Sequence, residues 1–255
     1  FAGEVKSIAF TFTGRRKDGT PVEIGAHGSL ATFRGRAAII GAIQDITERK
    51  RTEEQARQHL AELQQAMMAT VRVASTMGEI RDPYTSGHER RVGELSAAIG
   101  AELGLSEHQV EGLRVAGYLH DTGKIVVPSE ILAKPGKISP NEFALIKEHA
   151  QQGYEILKDV NFPWPVALVA LQHHERIDGS GYPQGLKGEE ILLEARILAV
   201  ADTVEAMGSH RPYRPGLGIE KALAEIEQNR GIRYDAQAAD ACLRLFREKG
   251  YQLPA

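Results

Sequence analysis

Seven side chains of the types that bind transition metals are spread along the chain. Each lies either on the predicted inward face of a helix or near a predicted helix end. They are five histidines and two aspartates: His88, His120, Asp121, His149, His173, His174 and Asp202. His88 is in helical register with Val92, Leu95 and Ile99, which predicts that its ring faces the interior. The apolar residues around His149 predict a similar inward stripe.

Two pairs of adjacent residues, His120-Asp121 and His173-His174, stand just before breaks that contain glycine. Neighbours on a helix point about 100° apart, so they reach one site most easily at a helix end. The partial negative charge of a helix C-terminus also favours a bound cation there. Asp202 lies in an apolar helix with no basic residue within one turn, and burial of an unpaired carboxylate is costly unless it meets a charge or a metal.

The number of these groups predicts two metal ions, because seven ligands exceed the roughly four to six that one ion takes. Asp121 would bridge the ions, one completed by His88, His120 and Asp202 and the other by His149, His173 and His174. A nitrogen-rich site without thiolates suits iron, manganese, zinc, cobalt or nickel better than magnesium or calcium. Such ions can hold a hydroxide and clamp a phosphoryl oxygen, so the residues predict a dimetal phosphohydrolase. The alternative is hydrogen-bonded core histidines without metal.

Three basic residues close to these motifs fit a phosphate-containing substrate. Lys124 lies one helical turn or less past Asp121, and Arg211 and Arg214 follow the helix that carries Asp202. A lysine or arginine here can bind phosphate, and an arginine can also stack on a base. Without the histidines, a solvated surface turn would be the preferred interpretation of Arg211 and Arg214.

Helical patterns dominate from Glu79 onward. Ser106 is placed to cap a helix, and Ser139-Pro140-Asn141-Glu142 combines a cap, a proline at the first helical position and a capping-box glutamate. Further helices are predicted at 165–175, 192–207, 219–229 and 235–249. The chemistry-bearing residues are therefore expected on a bundle of helices.

The N-terminal part has strand patterns instead. Strands are predicted at 7–13, 21–33 and 37–44, with a hairpin turn at Lys17-Asp18-Gly19-Thr20. Three strands without a covering helix would be marginally stable alone, which predicts the tail of a domain whose first half is missing. The chain also begins at Phe1 and not at Met, which predicts a piece of a longer protein.

A long helix is predicted to connect the two parts, since residues 48–77 contain neither glycine nor proline. Apolar and small residues recur along it at a three-to-four spacing: Leu60, Leu63, Met67, Thr70, Ala74 and Met77. This spacing fits two to three heptads of coiled coil, and equally an amphipathic helix packed on its own domain.

Composition excludes several classes of protein. With 255 residues and a net charge of −3, the chain is not a general nucleic-acid binder. Its single cysteine, Cys242, rules out a disulfide framework, a zinc-thiolate site and a redox pair. No apolar run approaches the roughly 18 residues of a transmembrane helix and no signal peptide is visible, so we expect a cytoplasmic protein.

The ordered motifs between Met77 and Leu253 resemble the HD-GYP family of bacterial cyclic di-GMP phosphodiesterases. The matching blocks are Asp82 to His88 with Arg91-Val92, His120-Asp121-Thr122-Gly123-Lys124 with Pro128, His173-His174-Glu175, Asp178 to Pro183, Asp202 and Arg211 to Arg214. The resemblance implies a mainly α fold, an HD-type helical bundle.

The resemblance also implies roles for individual residues. The family's metal ligands match His88, His120, Asp121, His149, His173, His174 and Asp202, with Asp121 as the bridge and iron or manganese as the metals. The residues that match phosphate contacts are Lys124, Arg211 and Arg214. Gly181-Tyr182-Pro183 matches the loop linked to partner recognition, notably of GGDEF-domain cyclases. Members that bind three metals carry a glutamate where this chain has Tyr84, so two metals are expected, and complete conversion to GMP becomes less certain.

The N-terminal strands, ending in Asp45-Ile46-Thr47, resemble the C-terminal half of a PAS sensor domain. The resemblances together imply a partial PAS β-sheet (1–47), a linker helix that joins a homodimer (48–78) and an HD-GYP domain (79–255). The predicted activity is hydrolysis of cyclic di-GMP by a metal-bridging hydroxide, giving pGpG and, after a second cut, GMP. The alternatives are another HD-type nucleotide phosphohydrolase, a catalytically silent cyclic-dinucleotide receptor and a purely structural helical module.

Overall fold

The computed structural model describes residues 7–79, 87–134, 136–209 and 217–254. These residues divide into two compact units, with the division between Met67 and Met68. The first unit contains a small sheet and the second is helical, so the mainly helical architecture predicted from the sequence is confirmed. In the described ranges, no helix combines the length and the apolar character needed to cross a membrane.

The strands and helices follow one another in the predicted order. The strands are β1 (Ser7–Arg15), β2 (Pro21–Phe33) and β3 (Arg36–Asp45). The helices are α1 (Thr47–Glu79), α2 (His88–Glu102), α3 (Glu107–Leu119), α4 (Ser129–Leu132), α5 (Pro140–Leu157), α6 (Val166–Gln172), α7 (Leu193–Gly208), α8 (Ile219–Gln228) and α9 (Ala236–Arg247). Two 3₁₀ segments lie at Thr122–Val126 and Gly188–Glu190.

The three strands form an antiparallel sheet in the order β1-β2-β3. The register pairs Arg15 with Pro21 across the predicted hairpin turn, where Gly19 has a φ of +88°. Residues paired across strands share a face, and one face carries large apolar side chains that are all exposed: Ile8, Phe10, Phe12, Leu30, Ile39 and Ile43. The sheet therefore leaves an apolar face uncovered among the described residues.

Helix α1 begins directly after the sheet, and the burial of its apolar side chains changes along its length. The Thr47 backbone N–H donates to Asp45 Oδ1 at 2.9 Å, which secures the first turn. Leu60 and Leu63 of the predicted stripe are exposed, at 58% and 68%. Val71, outside that stripe, is buried in the core of the helical unit. The helix therefore packs on the helical unit near its C-terminal end, and the coiled coil stays a prediction.

The helical unit is built around a core shared by α2, α3 and α6 to α9. Val92, Leu95 and Ile99 are fully buried, which confirms the inward stripe predicted for α2. The capping predictions for α3 and α5 are also confirmed. Ser106 Oγ accepts from the Gln109 N–H, and Ser139 Oγ accepts from the Glu142 N–H, both at 3.3 Å.

Two glycines allow backbones to approach where the metal-binding side chains meet. A Cβ on Gly117 of α3 would lie 2.4 Å from the Gly93 Cα of α2. A Cβ on Gly123 would lie 1.9 Å from the carbonyl oxygen of His149 in α5. No real side chain tolerates such distances, so both positions require glycine. These contacts bring α2 close to α3 and the Thr122–Val126 segment close to α5.

Candidate metal centre

Asp121 lies at the centre of the gathered side chains. It follows the C-terminus of α3, and its carboxylate is buried. Its Oδ1 lies 3.3 Å from His149 Nε2 and 3.8 Å from His173 Nε2. Its Oδ2 lies 3.3 Å from His120 Nε2 and 3.8 Å from His88 Nε2. The two oxygens of one carboxylate thus face two separate sets of imidazoles.

The potential ligand atoms fall into two groups that share Asp121. The His149 group consists of Asp121, His149, His173 and His174, and the His88 group consists of His88, His120 and Asp121; in each, all ligand atoms lie within 4.8 Å of one another. Asp202 adjoins the His88 group through its Oδ1, which lies 3.3 Å from His88 Nε2. The structure therefore brings together all seven side chains singled out from the sequence.

Three of the histidines are oriented by backbone carbonyls of their own helices. The Nδ1 atoms of His120, His149 and His173 lie 2.6–2.7 Å from the carbonyl oxygens of Gly117, Ile146 and Ala170 respectively. A carbonyl only accepts hydrogen bonds, so each Nδ1 carries the hydrogen and each Nε2 presents a lone pair to the centre. This is the arrangement in which an imidazole binds a metal through Nε2.

His88 is oriented differently, because it is the first residue of α2. Its Nδ1 is paired with the Glu205 carboxylate of α7. Glu205 also accepts from Arg91 Nε at 2.6 Å and from Ser209 Oγ at 2.7 Å. Burial alone would lower the pKa of His88, but Asp202 and Glu205 outweigh it and raise the pKa to about 10.

In the His149 group, the pKa values of the histidines are shifted in the opposite direction, downward. Burial, together with the neighbouring imidazoles, lowers the pKa of His173 well below its usual range. Burial lowers the pKa of His174 to about 3, with His149 adding to the effect. Burial would raise the pKa of Asp121, but Lys124 and His120 hold it well below the usual value. Neutral imidazoles around an ionised carboxylate form a ready set of metal ligands.

The donor atoms fit a bound cation better than they fit one another. His149 Nε2 and His173 Nε2 lie 3.3 Å apart, although both present lone pairs. Among the described residues, Asp121 Oδ1 and His120 Nε2 are buried without a hydrogen-bond partner. Each such orphaned group costs about 1–3 kcal/mol. A cation among these atoms would offset that cost, and the nitrogen-rich, thiolate-free set suits a transition metal.

The other predicted site residues lie in different positions relative to the centre, and some lie outside the described residues. Lys124 Nζ lies 2.6 Å from Asp121 Oδ2, directly at the centre. Tyr182 stacks on His174 with a ring-centroid distance of 4.7 Å, whereas Pro183 is exposed. Arg211, Arg214 and Tyr84 lie outside the described residues. The metal-binding and substrate-binding roles of all these residues stay predictions.

Glu205 and Glu175 are buried carboxylates near the centre that have no role in the sequence analysis. Glu205 lies three residues after Asp202, on the same face of α7, and this i, i+3 spacing of acids in an apolar helix is the only signal of it in the sequence. Glu175 follows His173-His174 and accepts from the backbone N–H groups of Gln184, Gly185 and Leu186 at 2.6–3.1 Å. It thereby fixes the segment after Tyr182.

Comparisons with known proteins match mainly the helical unit. A family model described as "HD domain" matches residues 72–238. The chain is 41% identical over 198 residues to "Cyclic di-GMP phosphodiesterase" of Thermotoga maritima, covering 77% of this chain and 54% of that protein. It is 35% identical over 213 residues to "3'3'-cGAMP-specific phosphodiesterase 3" of Vibrio cholerae, covering 82% of this chain and 46% of that protein.

A solved structure, Bd1817 from Bdellovibrio bacteriovorus, described as a HDG"Y"P protein, has a similar fold. The TM-score is 0.53 at 23% identity, covering 63% of this chain and 51% of that chain. The chain spans about half the length of the curated relatives named above. The family model covers well over half of the chain, so the chain belongs to the HD domain family.

Proposed function

We propose that the chain is a metal-dependent phosphodiesterase of the HD-GYP type that hydrolyses cyclic di-GMP to linear pGpG, with GMP as the product of a second cut. The observation that carries the proposal is the division of the Asp121 oxygens between the His88 and His149 groups. A bridging carboxylate between two nitrogen-rich groups is typical of dimetal sites that act on phosphodiesters. The name of the Thermotoga maritima relative supports this substrate.

The residues that would hold the two ions are the seven side chains around Asp121. Bound there, two divalent transition metals supply Lewis-acid polarisation of the phosphodiester and a water-derived nucleophile at neutral pH. We propose iron or manganese, because the set is rich in imidazole and carboxylate and contains no thiolate. The imidazole Nδ1 hydrogen bonds hold the rings in place before any ligand arrives.

Among the residues that the structure describes, Lys124 is the one best placed to bind the substrate phosphate. Its Nζ contacts Asp121 Oδ2 from the partly exposed side, with 20% of the side chain accessible. An ammonium at that point favours the ionised form of Asp121 and can donate to a phosphoryl oxygen. Hydrolysis adds water across one P–O3′ bond, leaving a 5′-phosphate and a 3′-hydroxyl, and Lys124 would stabilise the charge that develops on phosphorus.

A related substrate, 3′3′-cGAMP, is the second candidate because a similar relative from Vibrio cholerae is named for it. The purified chain, loaded anaerobically with ferrous iron or with manganese, is incubated with each dinucleotide, and products are separated by chromatography. We expect pGpG from cyclic di-GMP, abolished by chelation and restored by metal. Faster turnover of 3′3′-cGAMP would change the assigned substrate.

Other outcomes of the same experiment would contradict the proposal. Binding of cyclic di-GMP without product would indicate a silent receptor. Preferential hydrolysis of a guanosine tetraphosphate would indicate another HD-type phosphohydrolase. A protein that contains no metal after loading, and whose fold does not respond to chelator, would be a structural module.

We further propose that the N-terminal sheet is part of a PAS sensor domain and that α1 transmits its signal. The uncovered apolar face of the sheet and the direct passage from Asp45 into α1 support this. The exposed Leu60 and Leu63 support a homodimer formed along the linker helix. The proposed domains are 1–47, 48–78 and 79–255.

The Gly181-Tyr182-Pro183 segment is proposed to recognise GGDEF-domain proteins. Pro183 is exposed, whereas Tyr182 is partly covered by its contact with His174. A partner that contacts Pro183 would therefore touch a segment that is connected to the metal centre through one aromatic ring. This connection offers a direct route by which a partner can influence the site.

A further inference from the structure

Two residues of α5, Phe143 and Lys147, meet Tyr182 beside the His149 group. They are four residues apart on α5, so they share one face of the helix. Lys147 Nζ lies 5.0 Å from the Phe143 ring centroid and 5.4 Å from the Tyr182 ring centroid. The two aromatic rings are 6.4 Å apart and nearly perpendicular, at 81°. One ammonium is thus placed over two aromatic rings.

This wall, defined as Phe143, Lys147 and Tyr182, adjoins the metal centre. The Tyr182 ring lies 4.7 Å from the His174 ring and 6.5 Å from the His149 ring. A group that packs on the wall can therefore belong to a molecule whose phosphate is at the metal centre. Phe143 is 45% exposed and Lys147 is partly exposed, so the wall is accessible to a ligand.

The wall is held in place before a ligand binds. Glu175 is buried and accepts three backbone N–H groups from Gln184 to Leu186. The Tyr182 N–H also donates to the carbonyl of His174 at 3.3 Å. An aromatic side chain that only covers apolar surface does not need a loop fixed in this way. A ring on which a ligand stacks gains affinity from a fixed loop, because less conformational entropy is lost when the ligand binds.

We propose that Phe143, Lys147 and Tyr182 form a purine-base subsite that prefers guanine over adenine. The proposal rests on the proposed function, since it assigns a base of the dinucleotide substrate to this wall. Aromatic rings stack on any base, because every base has a π-face. Lys147 supplies the selectivity: guanine presents the acceptors O6 and N7 at one edge, whereas adenine presents an amino donor in place of O6.

Among the described residues, Lys147 contacts the two aromatic rings and no carboxylate competes for it. Within the described ranges, no carboxylate forms an ion pair with it, in contrast to Lys158 at the end of the same helix, which pairs with Glu155. Its ammonium is placed only over the two rings. A cation over an aromatic face remains free to donate its hydrogens outward to an acceptor.

The test measures binding of GMP and AMP to the full chain after chelator treatment, so that no turnover occurs. We expect GMP to bind about tenfold more tightly than AMP, the size of one good base contact. Lys147→Met should reduce this ratio to about twofold or less, because stacking alone does not distinguish the bases. Phe143→Ala should weaken both nucleotides about equally, by roughly fivefold.

Lys158→Met is the matched control, since it removes the same charge from the residue that caps the C-terminus of α5, away from the wall. It should retain the wild-type ratio. Equal weakening of GMP and AMP by Lys147→Met would mean that Lys147 contacts phosphate, and would overturn the guanine assignment. Equal affinity of the wild-type chain for GMP and AMP would overturn it too. Loss of cyclic di-GMP hydrolysis with an intact GMP preference would instead contradict the proposed function alone.

Discussion

The two groups of histidines around Asp121 differ in how one imidazole is held: a carboxylate holds His88, whereas backbone carbonyls hold His120, His149 and His173. In the His149 group, His149 and His173 donate from Nδ1 to carbonyls three residues earlier in their own helices. In the His88 group, His88 begins α2 and has no earlier helical turn, so its partner is Glu205 of α7. A histidine that follows at least one helical turn can be oriented by a carbonyl of its own helix, whereas one at an N-terminus needs a partner from elsewhere.

This difference changes the charge around each group. A backbone carbonyl is neutral, so burial dominates in the His149 group and lowers the pKa of His173 and His174. The carboxylates of Asp202 and Glu205 raise the pKa of His88 to about 10. A carboxylate behind an imidazole makes it a more basic metal ligand. The His88 group therefore offers a more anionic environment to a cation than the His149 group does.

Replacement of Asp121 should have the largest effect, because it removes the one residue common to both groups. Asp121→Asn keeps the shape but removes the charge that both Oδ1 and Oδ2 bring to the centre. We expect turnover to fall at least about a thousandfold, equivalent to several kcal/mol of transition-state stabilisation. Metal analysis should show fewer than two ions per chain.

The exposed Asp159 provides the control, since Asp159→Asn makes the same chemical change away from the centre. If Asp121→Asn bound two ions and turned over normally, the two groups would not depend on a shared carboxylate. The comparison between them would then have no structural basis.

Replacement of Glu205 should separate the two groups. Glu205→Gln keeps a hydrogen-bond acceptor for His88 Nδ1 but removes the negative charge behind the ring. Loss of such a supporting carboxylate typically costs 10–100-fold in metal affinity, so we expect about that loss at one of two metal sites. A stepwise titration with manganese against a chromophoric chelator would resolve the two affinities.

Glu227→Gln is a suitable control, because Glu227 pairs with Arg247 on the surface and the charge change is the same. Equal weakening of both metal sites by Glu205→Gln would show that the groups are not independent. Unchanged affinity at both would show that a carboxylate is no better than a backbone carbonyl as the partner of His88.

Sequence reasoning singled out the side chains that the structure brings together more readily than the partners that orient them. His173-His174 is conspicuous because adjacent histidines converge on one site most easily at a helix end. The caps Ser106 and Ser139 follow local rules. Glu205 is less visible, since a glutamate one turn past Asp202 is equally compatible with a solvent-exposed position. Its role depends on the packing of α7 against the start of α2, which no local pattern encodes.

The sequence predicted that Asp121 is shared by two sets of ligands, but it did not show which oxygen faces which set. The wall of Phe143, Lys147 and Tyr182 was also beyond sequence reasoning, for a related reason. The first depends on the backbone angles at a turn between α3 and the 3₁₀ segment that follows. The second brings Tyr182 against two residues that lie 35 residues or more before it in the sequence. Those two residues look like part of an ordinary amphipathic helix face. Contacts between distant segments follow from packing, and here glycines such as Gly123 permit the close approach.

Replacement of Ser209 should give the smallest effect and show how far the support of His88 extends. Ser209 Oγ donates to Glu205 Oε1 at 2.7 Å, while Arg91 Nε donates to the same oxygen at 2.6 Å. Ser209→Ala removes one of these hydrogen bonds, worth about 0.5–1.5 kcal/mol, and leaves the charge of Glu205 in place. We expect metal affinity to fall about two- to tenfold at the site that Glu205→Gln weakens, and to stay unchanged at the other. A loss as large as that of Glu205→Gln would mean that position, more than charge, is what Glu205 contributes to His88.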